Sequence, residues 1–262
     1  MADHREIYRQ AEYYDIVFDR DVSQELNFAL NTYRELNDGR MPDAVIDIAC
    51  GPGYYALQAA QRGLRAIGLD LRKEMVELAA KKASALGVDV TWLAQDMRSL
   101  VLTPPVDVSL TMFDSLDVLS TDDDVIAHFK AMYRNLTPGG IYVIELSHPR
   151  DASYGAYGEY LYTGQRDGIR VRIKFYPHDD WDLLTGLISA TAHIDVTHPD
   201  GKAEHFESTA QERLYLPREL NALVKEAGGF KTIGWYGAFR KNQALDFSSN
   251  AVRMVAVYQR LP

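Results

Sequence analysis

The sequence predicts an α/β fold: a seven-stranded, mostly parallel sheet with helices on both faces, a helical N-terminal cap and an antiparallel β insertion. Three observations predict it. Short apolar runs alternate with amphipathic helical stretches between about residues 44 and 148. A period-two alternation of apolar and polar residues replaces that pattern between about 150 and 215. Strand and helix patterning then returns and closes the chain. Strand–helix alternation implies parallel strands joined by right-handed crossovers. Period-two alternation marks half-buried antiparallel strands. The whole chain, 1–262, therefore reads as one domain: a cap over 1–40, a core over 41–149, an insertion over 150–215 and the rest of the core over 216–262.

The cap looks helical because Leu26, Leu30, Tyr33 and Leu36 recur at helical spacing. Strands follow at Ala44–Ala49, Arg65–Asp70, Val88–Ala94, Val106–Met112 and Gly140–Leu146, with helices near Tyr54–Arg62, Arg72–Leu86 and Asp122–Leu136 between them. In the insertion, Ile169 to Phe175 alternates strictly, and Ile188–Val196 and Glu204–Tyr215 read as further strands. Pro199-Asp200-Gly201 is a turn signal between the last two. A helix opens at Pro217, suited to a first turn, and ends at Gly228-Gly229. Strands Phe230–Tyr236 and Val252–Gln259 complete the sheet.

Composition excludes several classes. Hydrophobic residues make up 47% and charged residues 25%, as in ordinary globular proteins. The longest apolar runs fall far short of the roughly 20 residues of a membrane span. The polar start, Met1 to Glu6, lacks the apolar centre of a signal peptide. The single cysteine, Cys50, forbids an internal disulfide and fits a reducing cytoplasm. A net charge of −9 argues against a partner made of long nucleic acid.

The chemistry concentrates in Val45-Ile46-Asp47-Ile48-Ala49-Cys50-Gly51-Pro52-Gly53-Tyr54. A buried strand ends in a small-residue turn, and a helix begins. Gly51 and Gly53 let a ligand approach the main chain. Free N–H groups at the helix start favour an anionic group. The bland alternative is a turn that only packs a helix on a strand. The second strand ends at Asp70, the position from which an acid can hold both hydroxyls of a ribose. Its alternative role is a helix N-cap. Asp96-Met97 and Phe113-Asp114 follow the third and fourth strands, at the edge where open α/β sheets bind ligands.

Taken in order, these residues resemble the class I, Rossmann-like methyltransferases that use S-adenosylmethionine. The family's acidic-x-Gly-x-Gly-x-Gly motif stands here as Asp47-Ile48-Ala49-Cys50-Gly51-Pro52-Gly53, with Ala49 in place of the first glycine. Leu136-Thr137-Pro138-Gly139-Gly140 and the stretch from Tyr215 to Phe230 are similar to the family as well. The resemblance implies that Asp47 and the Ala49, Cys50, Gly51 and Gly53 turn surround the methionine part of the cofactor. It implies that Asp70 binds the ribose, that Leu71 and Met75 flank the adenine, and that Asp96 and Met97 meet its amino edge. Phe113 and Asp114 are implied near the sulfonium and the acceptor. A dinucleotide site would share the first two features. Against it, Pro52 removes one loop N–H that a pyrophosphate could use.

Methyl transfer from a sulfonium is an in-line displacement, so positioning supplies most of the acceleration. An aromatic wall suits the positive sulfur, and Phe113, Tyr13 and Tyr14 are candidates. Ala11-Glu12-Tyr13-Tyr14-Asp15 resembles the segment that folds over the cofactor in small-molecule members of the family; otherwise one tyrosine simply packs on the sheet. His148 and Asp114 are the candidate catalytic groups, with a capping role as the alternative for His148. His128 reads as structural. His178, His193, His198 and His205 reach a pocket only if the insertion folds over the sheet. No His, Asp or Glu cluster has metal-site spacing, and Asp122-Asp123-Asp124 reads as a helix start. Tyr154, Tyr157, Tyr160 and Tyr162 suit a substrate mouth or a homodimer interface through the insertion. The expected activity is methylation of an N or O atom of a small metabolite. The alternatives are methylation of RNA or protein, or cofactor binding without turnover.

Overall fold

A computed structural model of the chain describes residues 6–148, 150 and 160–262. Seven strands form the main sheet: β1 (Ala44–Ile48), β2 (Arg65–Asp70), β3 (Val90–Ala94), β4 (Val106–Thr111), β5 (Leu136–Leu146), β10 (Phe230–Tyr236) and β11 (Met254–Arg260). Their order is β10-β11-β5-β4-β1-β2-β3. β11 runs antiparallel to both neighbours, and the other pairings are parallel. β1 and β4 are buried along their whole length, as parallel strands covered on both faces must be. From β1 the chain steps outward to β2 and β3, then returns to place β4 on the other side of β1. That reversal opens a crevice beyond the carboxyl ends of β1 and β4.

Two apolar layers cover the sheet. On one face, α5 (Asp122–Asn135) and α6 (Pro217–Ala227) pack Phe129, Met132 and Leu220 on Ile46, Ile48, Tyr142 and Tyr258. On the other, α2 (Ser23–Leu36) and α3 (Tyr54–Gln61) set Leu26, Tyr33 and Ala59 against Val45, Val108 and Val257. Leu26, Leu30 and Tyr33 are buried, so the helical stripe read in the cap is the face that docks. α4 (Lys73–Leu86) turns Met75, Ala79 and Ala83 inward.

The insertion forms a second, antiparallel sheet from β6 (Tyr160–Arg166), β7 (Ile169–Pro177), β8 (Leu187–Thr197) and β9 (Ala203–Arg213). Its inner face carries Val171, Ile173, Ala192, Ile194 and Val196. These pack on Ile7 and Phe18, so the short α1 (Ala11–Phe18) is held between the two sheets. Tyr154 and Tyr157 lie outside the described residues.

Several boundaries move for physical reasons. β3 starts at Val90 rather than Val88, because the Val88 N–H turns back to the Ala83 carbonyl (3.1 Å) and closes α4 at left-handed Gly87 (φ 65°). α5 stops at Asn135, whose side chain takes the Leu102 N–H and donates to the Leu100 carbonyl (2.8 Å). β5 accordingly begins at Leu136, four residues earlier than the apolar run predicts. β6 carries no clear strand signal of its own; pairing with β7 defines it.

Candidate functional site

The turn after β1 is built on the left-handed backbone of Ala49 (φ 56°), Gly51 (φ 51°) and Gly53 (φ 85°). Ala49 therefore holds a conformation that costs an L-residue about 1–2 kcal/mol and that glycine adopts freely. Gly53 opens α3, and its left-handed φ is not its only constraint. A Cβ on Gly53 would lie 2.4 Å from the Trp92 ring, and one on Gly68 would lie 2.2 Å from it. Trp92 on β3 thus fills the space both glycines leave, a tertiary reason for Gly68 that sequence reasoning missed.

Asp70 braces this turn directly. Its Oδ2 accepts the Gly51 N–H (2.8 Å) and its Oδ1 accepts the Arg72 N–H (2.8 Å). The N-cap of α4 is Arg72, so Asp70 makes a two-residue turn ahead of the helix and does not cap it. Asp47 lies beneath the same turn, 1% exposed, and its Oδ2 has no partner among the described residues. Burial raises the Asp47 carboxyl well above the usual carboxylate range, and the neighbouring Asp70 charge adds to it. Burial raises Asp70 too. Cys50 is buried and pushed far up by the same burial and the same acids, so it fills the turn and is no nucleophile. Two acids in one desolvated corner, one with an orphaned oxygen, form a place that a cation would relieve.

Phe113 and Asp114, after β4, both have left-handed backbone (φ 56° and 64°). Two residues that sequence reasoning missed hold them there. The Phe113 N–H donates to Glu145 Oε2 (3.0 Å). Arg253 bridges Glu145 (2.8 Å) and Asp114 (2.7 Å), and its guanidinium lies 5.9 Å from the Phe113 ring. The signal available was Glu145 itself, one acid within the apolar run Ile141–Leu146. The other Asp114 oxygen accepts the Ser147 N–H.

Aromatic side chains from the cap and insertion close over Phe113. Phe18 lies 5.4 Å from it by ring centroid, 4.9 Å from Tyr162 and 4.4 Å from Tyr14. Tyr13 faces the other way, onto Phe206 and His198 of the insertion. Asp15, 2% exposed, ties the layers together. It accepts from Tyr54 on α3 (3.0 Å) and pairs with Lys82 on α4 and Arg166 on β6.

The residues expected on the adenine side are more dispersed. Met75 is buried under α4, whereas Leu71 is 67% exposed. Asp96 is clamped by Arg98, whose Nε lies 3.0 Å from both its oxygens, and that contact holds its carboxyl below the usual range. Met97 is tied in through its carbonyl, which meets Nδ1 of His128 (3.3 Å). His128 Nε2 meets the Tyr142 hydroxyl (2.7 Å), which meets Thr111 (2.7 Å). His128 is fully buried, and that burial lowers it to about 4.

The expectation that His148 acts as a base needs correction on geometric grounds. It is 2% exposed; its Nδ1 accepts the Arg150 N–H (3.0 Å), so Nε2–H donates to the Asp246 carbonyl (2.7 Å). Nδ1 is held by the main chain two residues on, and Nε2 ties the end of β5 to the segment before β11. His148 only backs a small open hollow lined by Asp114, Asp117, Ser147, Trp181 and Arg213.

Comparisons with known proteins bear on the family and the fold. Residues 45–140 match the family described as methyltransferase domain. A Bacillus subtilis protein named as a methyltransferase, YqeM, is 35% identical over 188 residues, covering 70% of this chain and 72% of that one. The dTDP-3-amino-3,4,6-trideoxy-alpha-D-glucopyranose N,N-dimethyltransferase of Streptomyces venezuelae is 27% identical over 140 residues, 52% of this chain and 56% of that one. The crystal structure of an S-adenosylmethionine-dependent methyltransferase from Clostridium acetobutylicum superimposes with a TM-score of 0.79 at 19% identity, covering 98% of this chain and 99% of that chain. No helix among the described residues is long and apolar enough to cross a membrane.

Proposed function

Because the chain belongs to the class I S-adenosylmethionine-dependent methyltransferases, we propose that it methylates the amino nitrogen of a small molecule. One observation carries the placement of the cofactor: the orphaned Asp47 oxygen beside Asp70, under a left-handed turn and an aromatic lid. A cofactor that is cationic at its sulfonium and its ammonium fits such a corner better than a pyrophosphate does. When bound, S-adenosylmethionine supplies an activated methyl group.

The chain's own groups then bind and orient. Asp47 and the turn from Ala49 through Cys50 and Gly51 to Gly53 take the methionine end. Asp70 takes the ribose with lone pairs it does not use on Gly51 and Arg72. Leu71, Met75, Asp96 and Met97 take the adenine side. Phe113, Tyr14 and Phe18 wall the sulfonium and exclude water. Arg253 and Glu145 are positioning residues, which fix the Phe113-Asp114 turn. The acceptor would enter by the hollow beside Asp114, which would set its amino nitrogen in line with the methyl group, and the product ammonium would release one proton to solvent.

Nitrogen is favoured over oxygen because neither candidate base is available. His148 uses both nitrogens on the main chain, and Asp114 is paired with Arg253. A neutral amine attacks unaided, whereas a phenol benefits from a base. The amino-sugar N,N-dimethyltransferase relative supports the same reading. The decisive test is calorimetric titration with S-adenosylhomocysteine, beside an Asp70→Ala variant, followed by acceptor assays with amino sugars and phenols. Binding that Asp70→Ala loses, with methylated amines as products, is expected. Binding with no turnover on any acceptor would favour a cofactor-binding protein, and methylation of phenols alone would overturn the nitrogen assignment.

A further inference from the structure

The outer face of the second sheet carries a cluster that the cofactor site does not use. His193 on β8 stands directly across from Glu207 on β9, and Asp195 stands across from His205. Residues two apart on a strand share a face, so all four side chains project from the same side. That is the side opposite Ala192, Ile194 and Val196, which pack on the cap.

We propose that His193, His205 and Glu207 form a binding site for a divalent transition-metal ion of the zinc type. His193 Nε2 lies 3.5 Å from Glu207 Oε2, and His205 Nε2 lies 3.9 Å from the same oxygen. The three ligand atoms all fall within 4.8 Å of one another. Zinc binds nitrogen and oxygen at about 2.0–2.2 Å in tetrahedral geometry, which sets neighbouring ligand atoms roughly 3.4 Å apart. Small side-chain rotations close the difference. Two imidazoles and a carboxylate are a zinc-type donor set, and three protein ligands leave a fourth position for water.

The supporting shell is already formed. His205 Nδ1 and Asp195 Oδ1 are 2.7 Å apart. That bond makes Nδ1 the protonated nitrogen and turns the Nε2 lone pair toward Glu207, the carboxylate–histidine–metal arrangement. Asp195 is held in turn by Arg172 at 3.3 Å. The Tyr176 hydroxyl sits 3.0 Å from His193 Nε2 and must swing aside, where it can meet the ion's water. The nearby Lys174 ammonium lies over the Tyr176 ring, 5.4 Å from its centroid. Spacing along the chain could not show this site, because strand register across the Pro199–Gly201 turn assembles it. A bound ion would pin β8 to β9 and stiffen the sheet that covers the cap.

The test is titration of the full chain with Zn²⁺ in competition with a chromophoric chelator. One ion per chain is expected. His193→Gln, His205→Gln and Glu207→Gln each weaken binding at least about tenfold, and Asp195→Asn weakens it about 10–100-fold by releasing His205. His198→Gln leaves it unchanged. Where a variant folds poorly, Co²⁺ in the wild type decides: a spectrum of four- or five-coordinate Co²⁺ supports the site. Absence of one-to-one binding, binding indifferent to these four residues, or only hexa-aqua Co²⁺ overturns it.

Discussion

The His128→Gln substitution tests how the edge of the sheet is held. His128 is fully buried; the Met97 carbonyl requires a proton on Nδ1, so Nε2 accepts from Tyr142. Its charged form has no place there. A histidine that titrates near 6.5 in the unfolded chain and about 4 in the folded one draws protons to the unfolded state. The depressed value means that its stabilising effect is complete above pH 6.5. It falls away as pH drops through that value, and the decline ends near pH 4. Each pH unit of separation corresponds to about 1.4 kcal/mol, so the total loss is about 3 kcal/mol, with about 2 kcal/mol of it between pH 7 and pH 5. Glutamine keeps a side-chain acceptor for Tyr142 and cannot titrate. Near pH 7 the variant should be less stable by about 1–3 kcal/mol, because one buried bond is lost. Urea unfolding of both proteins near pH 7 and near pH 5 cancels every other titrating group. The gap should narrow by about 2 kcal/mol at the lower pH. A gap that stays constant would refute a buried, neutral His128 linking Met97 to Thr111.

Two further substitutions address the cofactor turn. Asp47→Asn should raise the thermal midpoint at neutral pH, because the amide removes an acid whose charged form burial and Asp70 oppose, while weakening S-adenosylhomocysteine binding at least about tenfold. A fall in both quantities would mean that Asp47 is structural. Gly68→Ala drives a Cβ into the Trp92 ring and should destabilise by about 1–3 kcal/mol in urea, with a shift in tryptophan emission; an unchanged midpoint would show that Trp92 does not need that space.

The parts of the molecule read from sequence share one property: their determinants are close in the chain. The Asp47-to-Gly53 turn, the Asp70 that follows it by about one strand and helix, and the stripe of Leu26, Leu30 and Tyr33 are all local patterns. What sequence reasoning missed is contributed from afar. Arg253 reaches Asp114 across 139 residues, and Arg166 reaches Asp15 across 151. β6 went unread because exposed Leu161 stands between its two tyrosines and breaks the apolar–polar alternation, so only its pairing with β7 makes it a strand.

The sequence by itself determined the alternation of strands and helices, the left-handed turn after β1 and the acid after β2, because backbone sterics and hydrophobic periodicity act over a few residues. Tertiary structure decided which acids stand unpaired, which histidines keep a usable lone pair and which side chains close over Phe113. Those properties depend on desolvation and on partners that only the folded chain brings together. His148 and His205 make the contrast plain. Both are ordinary histidines in the sequence, yet packing spends both nitrogens of one on the main chain, while the other is held by Asp195 on the neighbouring strand and keeps its second nitrogen toward Glu207 on its own strand.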